Sequence, residues 1–199
     1  ISRADLVSFA GAVAVSNYGG NEIKWRPGRV DAVSAADAGA AFPAPTSSSE
    51  DPNILRSFFN NYPGFNDKDI VALMGSHNMG ENCFCHFNKS GFNGPWSLNP
   101  YYLTNEYFQR LNNQIQSNGR VYQPITNVTL TPPFHDNTRY VDTSGQNNGQ
   151  SNGLIMLPAD IALTLDGNFK QLVQMFAQNQ DQFQLHFQSA FQELLEYGL

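Results

Sequence analysis

The sequence feature that most constrains the fold is a set of segments in which apolar residues recur every three or four positions. Such spacing places the apolar side chains on one face of an α-helix. The chain also contains 15 Phe among its 199 residues, and rings of that size need a packed interior. We therefore predict a mainly α fold. The strongest segments carry Tyr107, Phe108, Leu111 and Ile115 after a capping Thr104, and Phe169, Phe176, Phe183, Phe187, Phe191 and Leu194 before a terminating Gly198.

Two further helices are predicted in the first third of the chain. Residues 4–15 are small or apolar and have no break before Gly19, which predicts a buried helix. Asp51 and Pro52 are typical of a helix start, and we expect that short helix to end near Asn60. A long loop containing Pro43 lies between the two helices.

The segment 116–152 is rich in Gly, Asn and Pro and has few apolar repeats. Its β-branched piece Val128–Leu130 predicts at most a small hairpin within an irregular insertion. We find no internal repeat and no linker that would divide the chain into domains.

Charge and hydropathy exclude several kinds of partner. The net charge is −6 from 28 charged side chains, and no basic cluster is present, so we expect neither nucleic acid nor an anionic membrane as partner. No run approaches the roughly 20 apolar residues that span a bilayer, so we predict no membrane span. Residues 1–15 lack the basic start of a signal peptide.

One predicted helix carries a histidine on its apolar face. Acidic residues begin it at Asp67, and Ile70, Leu73, Met74 and His77 then fall at helical spacing. Gly75 and Gly80 lie on either side of His77, and Gly80 is expected to end the helix. From these residues alone His77 is either a hydrogen-bonded core histidine or a ligand to a metal or flat cofactor.

Three separated motifs decide between those alternatives. In chain order they are DIVALMGSH ending at His77, SGFNGPW ending at Trp96, and MLPAD ending at Asp160. Together they resemble the proximal side of the plant-type haem peroxidase superfamily. The resemblance is strongest to its first class, which contains cytochrome c peroxidase and ascorbate peroxidase, and it covers nearly the whole chain.

The resemblance implies a role for each motif residue. His77 would be the axial ligand of haem iron, and Asp160 the carboxylate that fixes the imidazole and raises its basicity. Trp96 would bond the same carboxylate and carry an oxidising equivalent as an indole cation radical. Without the resemblance, the residues alone favour a helix cap for Asp160 and a core aromatic for Trp96.

Further implications of the resemblance concern the surroundings of the haem. Met74 would add a polarisable sulfur near the tryptophan or simply pack there. His86 and Ser90 match residues that reach a haem propionate, and Pro43 matches a proline on the haem edge. The stretch before His86 is a few residues longer than in the family. It contains Cys83 and Cys85, whose one-residue separation does not fit a haem attachment motif.

Departures from the family narrow the expected substrate. Lys89 stands where ascorbate peroxidases have an arginine, which argues against ascorbate. No carboxylate occurs among the residues at their cation-site positions, so we predict no metal other than haem iron. Those residues are Asn78, Ser97, Asn99 and Thr104. Asn88 and Asn127 each begin a glycosylation triplet, a pattern that is common by chance.

The distal Arg-x-x-Trp/Phe-His motif of the family does not occur in the 199 residues. His135 imitates its end, but Thr131 stands in place of the arginine, and His186 is expected to be structural. We predict that residues 1–199 are the proximal, C-terminal portion of a single haem peroxidase domain whose distal portion lies outside this chain. The isolated chain should be inactive or nearly so.

The predicted function is hydrogen peroxide reduction by the complete protein with haem b. Its electrons would come from a protein such as cytochrome c or from a small reductant. The alternative is a peroxidase-fold structural subunit of a larger assembly without activity. Resemblance to the first class favours a mitochondrial or other organellar location, with secretion left open.

Overall fold

The computed structural model describes residues 1–34, 49–60, 64–82, 94–126, 138–145, 153–197 and 199. Helices dominate this part of the chain, which confirms the predicted mainly α class. They are α1 (Arg3–Asn17), α2 (Pro52–Phe59), α3 (Asp67–Met74), α4 (Glu106–Gln116), α5 (Pro158–Ala162), α6 (Gly167–Gln178) and α7 (Gln180–Glu196). A 3-10 turn, Gly75–Asn78, follows α3 directly.

Two small antiparallel sheets accompany the helices. Strands β1 (Glu81–Asn82) and β2 (Gly94–Pro95) form a two-residue ladder. Strands β3 (Tyr122–Thr126) and β4 (Thr138–Asp142) form the predicted hairpin, with Tyr122 opposite Asp142. A third strand, β5 (Ile155–Met156), adds to β4, so the sheet is one strand larger than the hairpin we expected. The Val128–Leu130 piece lies outside the described residues.

Phenylalanine rings fill the core between α4, α6 and α7, as the composition predicted. Phe108 on α4 contacts Phe176 on α6 and Phe183 on α7, with ring centroids 5.2 and 5.0 Å apart. All three rings are fully buried. Edge-on contacts between aromatic rings add to the gain from burying their area, so these rings hold the three helices together.

Polar contacts join the loop after α1 to helices α1 and α7. The buried carboxylate of Asp5 accepts hydrogen bonds from the backbone N–H groups of Gly28 and Arg29 and from the Arg29 guanidinium. Arg29 also donates to the carbonyl of Leu195 at the end of α7. The first and last helices are therefore joined through one arginine.

The predicted start of α2 is confirmed, since Asp51 caps it by accepting from the N–H of Asn53. Arg56 on the same helix binds the carboxylates of Asp67 at the start of α3 and Asp166 before α6. Three helix ends are thus clamped together by one guanidinium. The salt bridges hold the pKa of both carboxyl groups below the usual range.

Two predictions about helices are corrected. Helix α1 is not buried throughout. Only Asp5, Ser8, Ala12 and Val15 of this helix are buried in the described part of the chain, and the exposed apolar residues are Leu6, Val7, Phe9 and Val13. The N-cap position of α4 belongs to Asn105 and not to Thr104, but the Asn105 side chain makes no capping bond, and the backbone N–H of Glu106 donates to Thr104 Oγ1 at 3.4 Å. The Asn105 amide instead donates to the carbonyls of Phe176 and Ala177, and these bonds couple the start of α4 to the end of α6.

The helix expected to run to Gly80 narrows into the 3-10 turn after Met74, and Gly80 follows with φ of 85°. Within the described ranges, no helix has the length and apolar character needed to cross a membrane. Gly198 lies outside those ranges.

Gly75 joins α3 to the 3-10 turn at a point with no room for a side chain. Its φ of −60° is ordinary for any residue, so packing and not backbone conformation requires glycine here. A Cβ on Gly75 would lie 2.8 Å from a ring carbon of Phe108 and closer still to Phe183. The turn is therefore seated directly on the aromatic core.

We expect Gly75→Ala to lower the free energy of unfolding by about 1–3 kcal/mol, the usual cost of overfilling a packed core. Urea denaturation of the full-length protein measures this. Gly167→Ala is the matched control, because an added Cβ there meets nothing within 4 Å, and it should be neutral or slightly stabilising. Equal effects of the two substitutions would contradict the packing argument.

Candidate functional site

Three separate segments bring their functional side chains to one point. His77 is on the 3-10 turn seated on the aromatic core. Trp96 comes directly after β2, which pairs with β1 just beyond that turn. Asp160 is the third residue of α5. Each side chain is thus carried by a backbone segment that is held by hydrogen bonds.

The carboxylate of Asp160 joins the three segments. One oxygen, Oδ1, lies 2.8 Å from Nδ1 of His77. The other, Oδ2, accepts from the indole N–H of Trp96 at 2.8 Å and from the backbone N–H of Leu157 at 2.7 Å. The helix-cap role and the site role that the sequence left open are therefore filled by the same carboxylate.

Asp160 has no exposed surface, so its charge depends on these donors. Burial on its own raises the pKa of the carboxyl group. The charge of His77 in its protonated form opposes that effect, as does the hydrogen bond from its Nδ1–H, which the neutral ring also makes. The hydrogen bonds from Tyr107 and from Leu157 act in the same direction. Together they outweigh burial, and the pKa of Asp160 lies below its ordinary value. The residue is an anion at neutral pH.

The ionised carboxylate fixes the tautomer of His77. A carboxylate can only accept, so Nδ1 must carry the proton and Nε2 keeps its lone pair in the neutral ring. Within the part of the chain that the structure describes, no group bonds Nε2. The side chain is 29% exposed, so this nitrogen has the chemistry and the access that an iron ligand needs.

The indole of Trp96 stacks on the imidazole of His77. The ring centroids are 4.6 Å apart, and the planes differ by 21°. Trp96 is almost completely buried, so an anion bonded to its N–H acts across a medium of low dielectric constant. A positive charge on the indole would be stabilised there.

Tyr107 is a member of this site that sequence reasoning missed. Its hydroxyl donates to Oδ1 of Asp160 at 2.6 Å, and its ring meets that of His77 edge-on at 6.0 Å. The residue is fully buried. Burial, followed by the charge of Asp160 and the hydrogen bond to it, raises the pKa of Tyr107 well above its usual value, so the hydroxyl stays protonated. The available signal was a tyrosine on a buried helix face, which needs a partner for its O–H.

Asn78 holds the 3-10 turn against α4. Its amide nitrogen donates to the carbonyl of Tyr102 and the hydroxyl of Thr104, and its amide oxygen accepts from the backbone N–H of Tyr107. Ser97 donates to its carbonyl. These contacts involve three of the four residues that match the cation-site positions of ascorbate peroxidases. Because Asn78 follows His77 directly in the chain, they also hold the backbone at His77 in place.

The structure describes only some of the remaining predicted site residues. Met74 is half-buried and lines a cavity of about 260 Å³ that reaches Ser76, next to His77. Pro43, His86 and Ser90 lie outside the described residues, as do both cysteines, Asn88, Asn127 and His135. His186 on α7 contacts the ring of Phe176, and it is not part of the Asp160 cluster. The cavity is lined by Phe58, Phe59, Leu73, Met74, Ser76, Phe187, Phe191 and Leu194.

The helical fold thus places a histidine and a tryptophan on one buried aspartate. Residues 1–179 match the family described as Peroxidase, and the chain belongs to that family.

Several similar proteins are fungal. The mitochondrial cytochrome c peroxidase of Cryptococcus neoformans var. neoformans is 37% identical over the whole chain, which covers 46% of that protein. The enzyme of the same name from Aspergillus fumigatus is also 37% identical, with 48% covered. A Gibberella zeae protein whose name includes the words heme-binding peroxidase is 35% identical, with 54% covered. The chain spans about half the length of these relatives.

We expect Asp160→Asn to lower the free energy of unfolding by about 2–4 kcal/mol, because one amide oxygen cannot satisfy four buried donors. Where the new NH₂ group faces His77, the ring proton must also move from Nδ1 to Nε2. Chemical denaturation and the nitrogen chemical shifts of His77 measure the two effects.

The control for that substitution is Asp181→Asn, at an exposed position in the first turn of α7. It should cost at most about 1 kcal/mol, the range for a charge near a helix end. If the two variants were equally stable and His77 kept its proton on Nδ1, the carboxylate would not organise the site.

Proposed function

We propose that this chain forms the haem-holding half of a peroxidase that reduces hydrogen peroxide. The observation that supports it best is Nε2 of His77, which has no partner among the described residues, while the opposite nitrogen is fixed by a buried, ionised carboxylate. Haem is the cofactor that fits one neutral imidazole on an apolar surface, and family membership points the same way. The cavity that reaches Ser76 is lined mainly by Phe, Leu and Met side chains and does not include His77, so it offers apolar surface next to the proposed cofactor position and does not enclose the cofactor.

The chemistry follows a division of tasks among the chain's own residues. When bound, haem iron supplies the centre at which peroxide is reduced. His77 would hold the iron through Nε2, and Asp160 would orient the imidazole and make it a stronger electron donor. Trp96, stacked on His77, would give up an electron and be restored by an external donor. We propose haem b as the form of the cofactor, because no pair of cysteines with attachment spacing is present in the sequence.

Cytochrome c is the proposed electron donor. Two of the relatives carry that substrate in their names and are described as mitochondrial. The net charge of −6 suits a cationic protein partner. Oxidised Trp96, stacked on His77, would be the group that accepts an electron from that partner. A mitochondrial location is proposed on the same basis.

Efficient turnover requires groups that the 199 residues do not supply. Cleavage of the O–O bond needs a base to move a proton and a cation to stabilise the separating charge, and the base alone is typically worth about 10²–10⁴ in rate. The Arg-x-x-Trp/Phe-His motif that performs these tasks in the family is absent from this sequence. We therefore propose that the 199-residue chain by itself is a poor peroxidase.

Replacing His77 with Ala should abolish stoichiometric haem binding, because it removes the only nitrogen proposed to bind the iron. Loss of a mere supporting partner behind a ligand costs about 10- to 100-fold in affinity, and loss of the ligand itself should exceed that. Titration of the haem-free full-length protein with haem, followed by its Soret absorption, measures the affinity.

His186→Ala is the matched control for the His77 variant, and it should bind haem like the wild type. The assignment of His77 fails if the His77 variant retains the wild-type iron spectrum and affinity. Absence of haem binding by the wild-type protein would instead favour a structural subunit with a peroxidase fold.

Trp96→Phe should leave the reaction with peroxide largely intact and slow oxidation of reduced cytochrome c, because phenylalanine gives up an electron far less readily than indole. Stopped-flow absorption separates the two steps, and electron paramagnetic resonance reports the radical. Trp25→Phe is the control, since that indole bonds Ser8 near α1. An unchanged radical signal in Trp96→Phe would exclude Trp96 from electron transfer.

A further inference from the structure

The hydroxyl of Tyr107 shares its acceptor with His77. Both donate to Oδ1 of Asp160, at 2.6 Å for Tyr107 and 2.8 Å for His77, whereas Trp96 and Leu157 donate to Oδ2. Two donors on one oxygen divide its negative charge. The bond that His77 makes is therefore weaker than it would be if Tyr107 were absent.

Tyr107 has no freedom to leave this position. Its backbone N–H is held by the side-chain oxygen of Asn78, and its ring lies edge-on to both His77 and Phe108. The whole residue is buried, so water cannot replace Asp160 as partner of the hydroxyl. The competition for Oδ1 is thus a fixed feature of the site.

The strength of the His77–Asp160 bond has a consequence at the other nitrogen of the ring. A stronger bond at Nδ1–H gives the imidazole more negative character and makes Nε2 a stronger donor, which favours the more highly charged state of a bound metal. A weaker bond has the opposite effect. Any group that withdraws charge from Oδ1 therefore acts on the metal through His77.

We propose that Tyr107 is a positioning residue that limits electron donation from Asp160 to His77 and so raises the reduction potential of the iron. The inference rests on the proposed haem site. Tyr107 contacts the carboxylate of Asp160 and the ring of His77, and its effect passes through one shared carboxylate oxygen.

The first test is Tyr107→Phe in the full-length protein, which removes the hydroxyl and keeps the ring. In the haem-free protein the Nδ1–H proton of His77 should shift downfield in the nuclear magnetic resonance spectrum, because its hydrogen bond becomes stronger. In the haem-bound protein the Fe(III)/Fe(II) potential should move to a more negative value, as measured by spectroelectrochemistry.

Tyr122→Phe is the matched control. Tyr122 is equally buried, but it lies on β3 beside Arg110 and Asp142. Its substitution should change neither the His77 proton signal nor the potential. Incorporation of 3-fluorotyrosine at position 107 gives a second variant, whose stronger O–H donor should shift both readouts in the direction opposite to phenylalanine.

The outcomes distinguish this inference from the proposed function. If the wild-type protein binds haem and neither Tyr107 variant moves the proton signal or the potential, the role of Tyr107 is refuted and the haem site stands. If the wild-type protein does not bind haem, the proposed function fails, and the proton signal of the haem-free protein still decides whether Tyr107 competes for Oδ1. Equal shifts in Tyr107→Phe and Tyr122→Phe would likewise overturn the inference.

Discussion

Burial of the Asp160 charge is the constraint on which the rest of the site depends. An isolated carboxylate in an apolar interior is strongly disfavoured, and this one is kept ionised by four donors. Those donors come from the 3-10 turn, the segment after β2, helix α4 and the residue before α5. Satisfying one anion therefore fixes the relative positions of four pieces of backbone, and with them the orientation of His77 and Trp96.

Much of the fold follows from local features of the sequence. Apolar spacing identifies the helices, and the Asp51–Pro52 pair gives the start of α2, because helix periodicity and capping are properties of neighbouring residues. The resemblance to a known family singled out His77, Trp96 and Asp160, since each lies in a contiguous motif. The structure brings those three side chains together.

Other features depend on partners that are distant in the chain, and sequence patterns do not reveal them. Tyr107 fits an apolar helix stripe as well as any packing residue, and its hydroxyl partner is 53 residues away. Thr104 and Asn105 are both competent helix caps, and only the carbonyls at the end of α6 explain how Asn105 is used. The exposed apolar side of α1 was missed because an even pattern of small and apolar residues does not say which side meets the core.

The site is also built from contacts between residues that are far apart in the chain. The contacts of Asp160 with His77, Trp96 and Tyr107 span 83, 64 and 53 residues. Each long loop must close at an entropic cost before the contact rewards it. The phenylalanine core closes loops of similar length, since Phe108 contacts Phe176 and Phe183. The orientation of His77 is therefore a property of the whole fold and not of any local segment, and a short peptide that contains the His77 motif would not reproduce it.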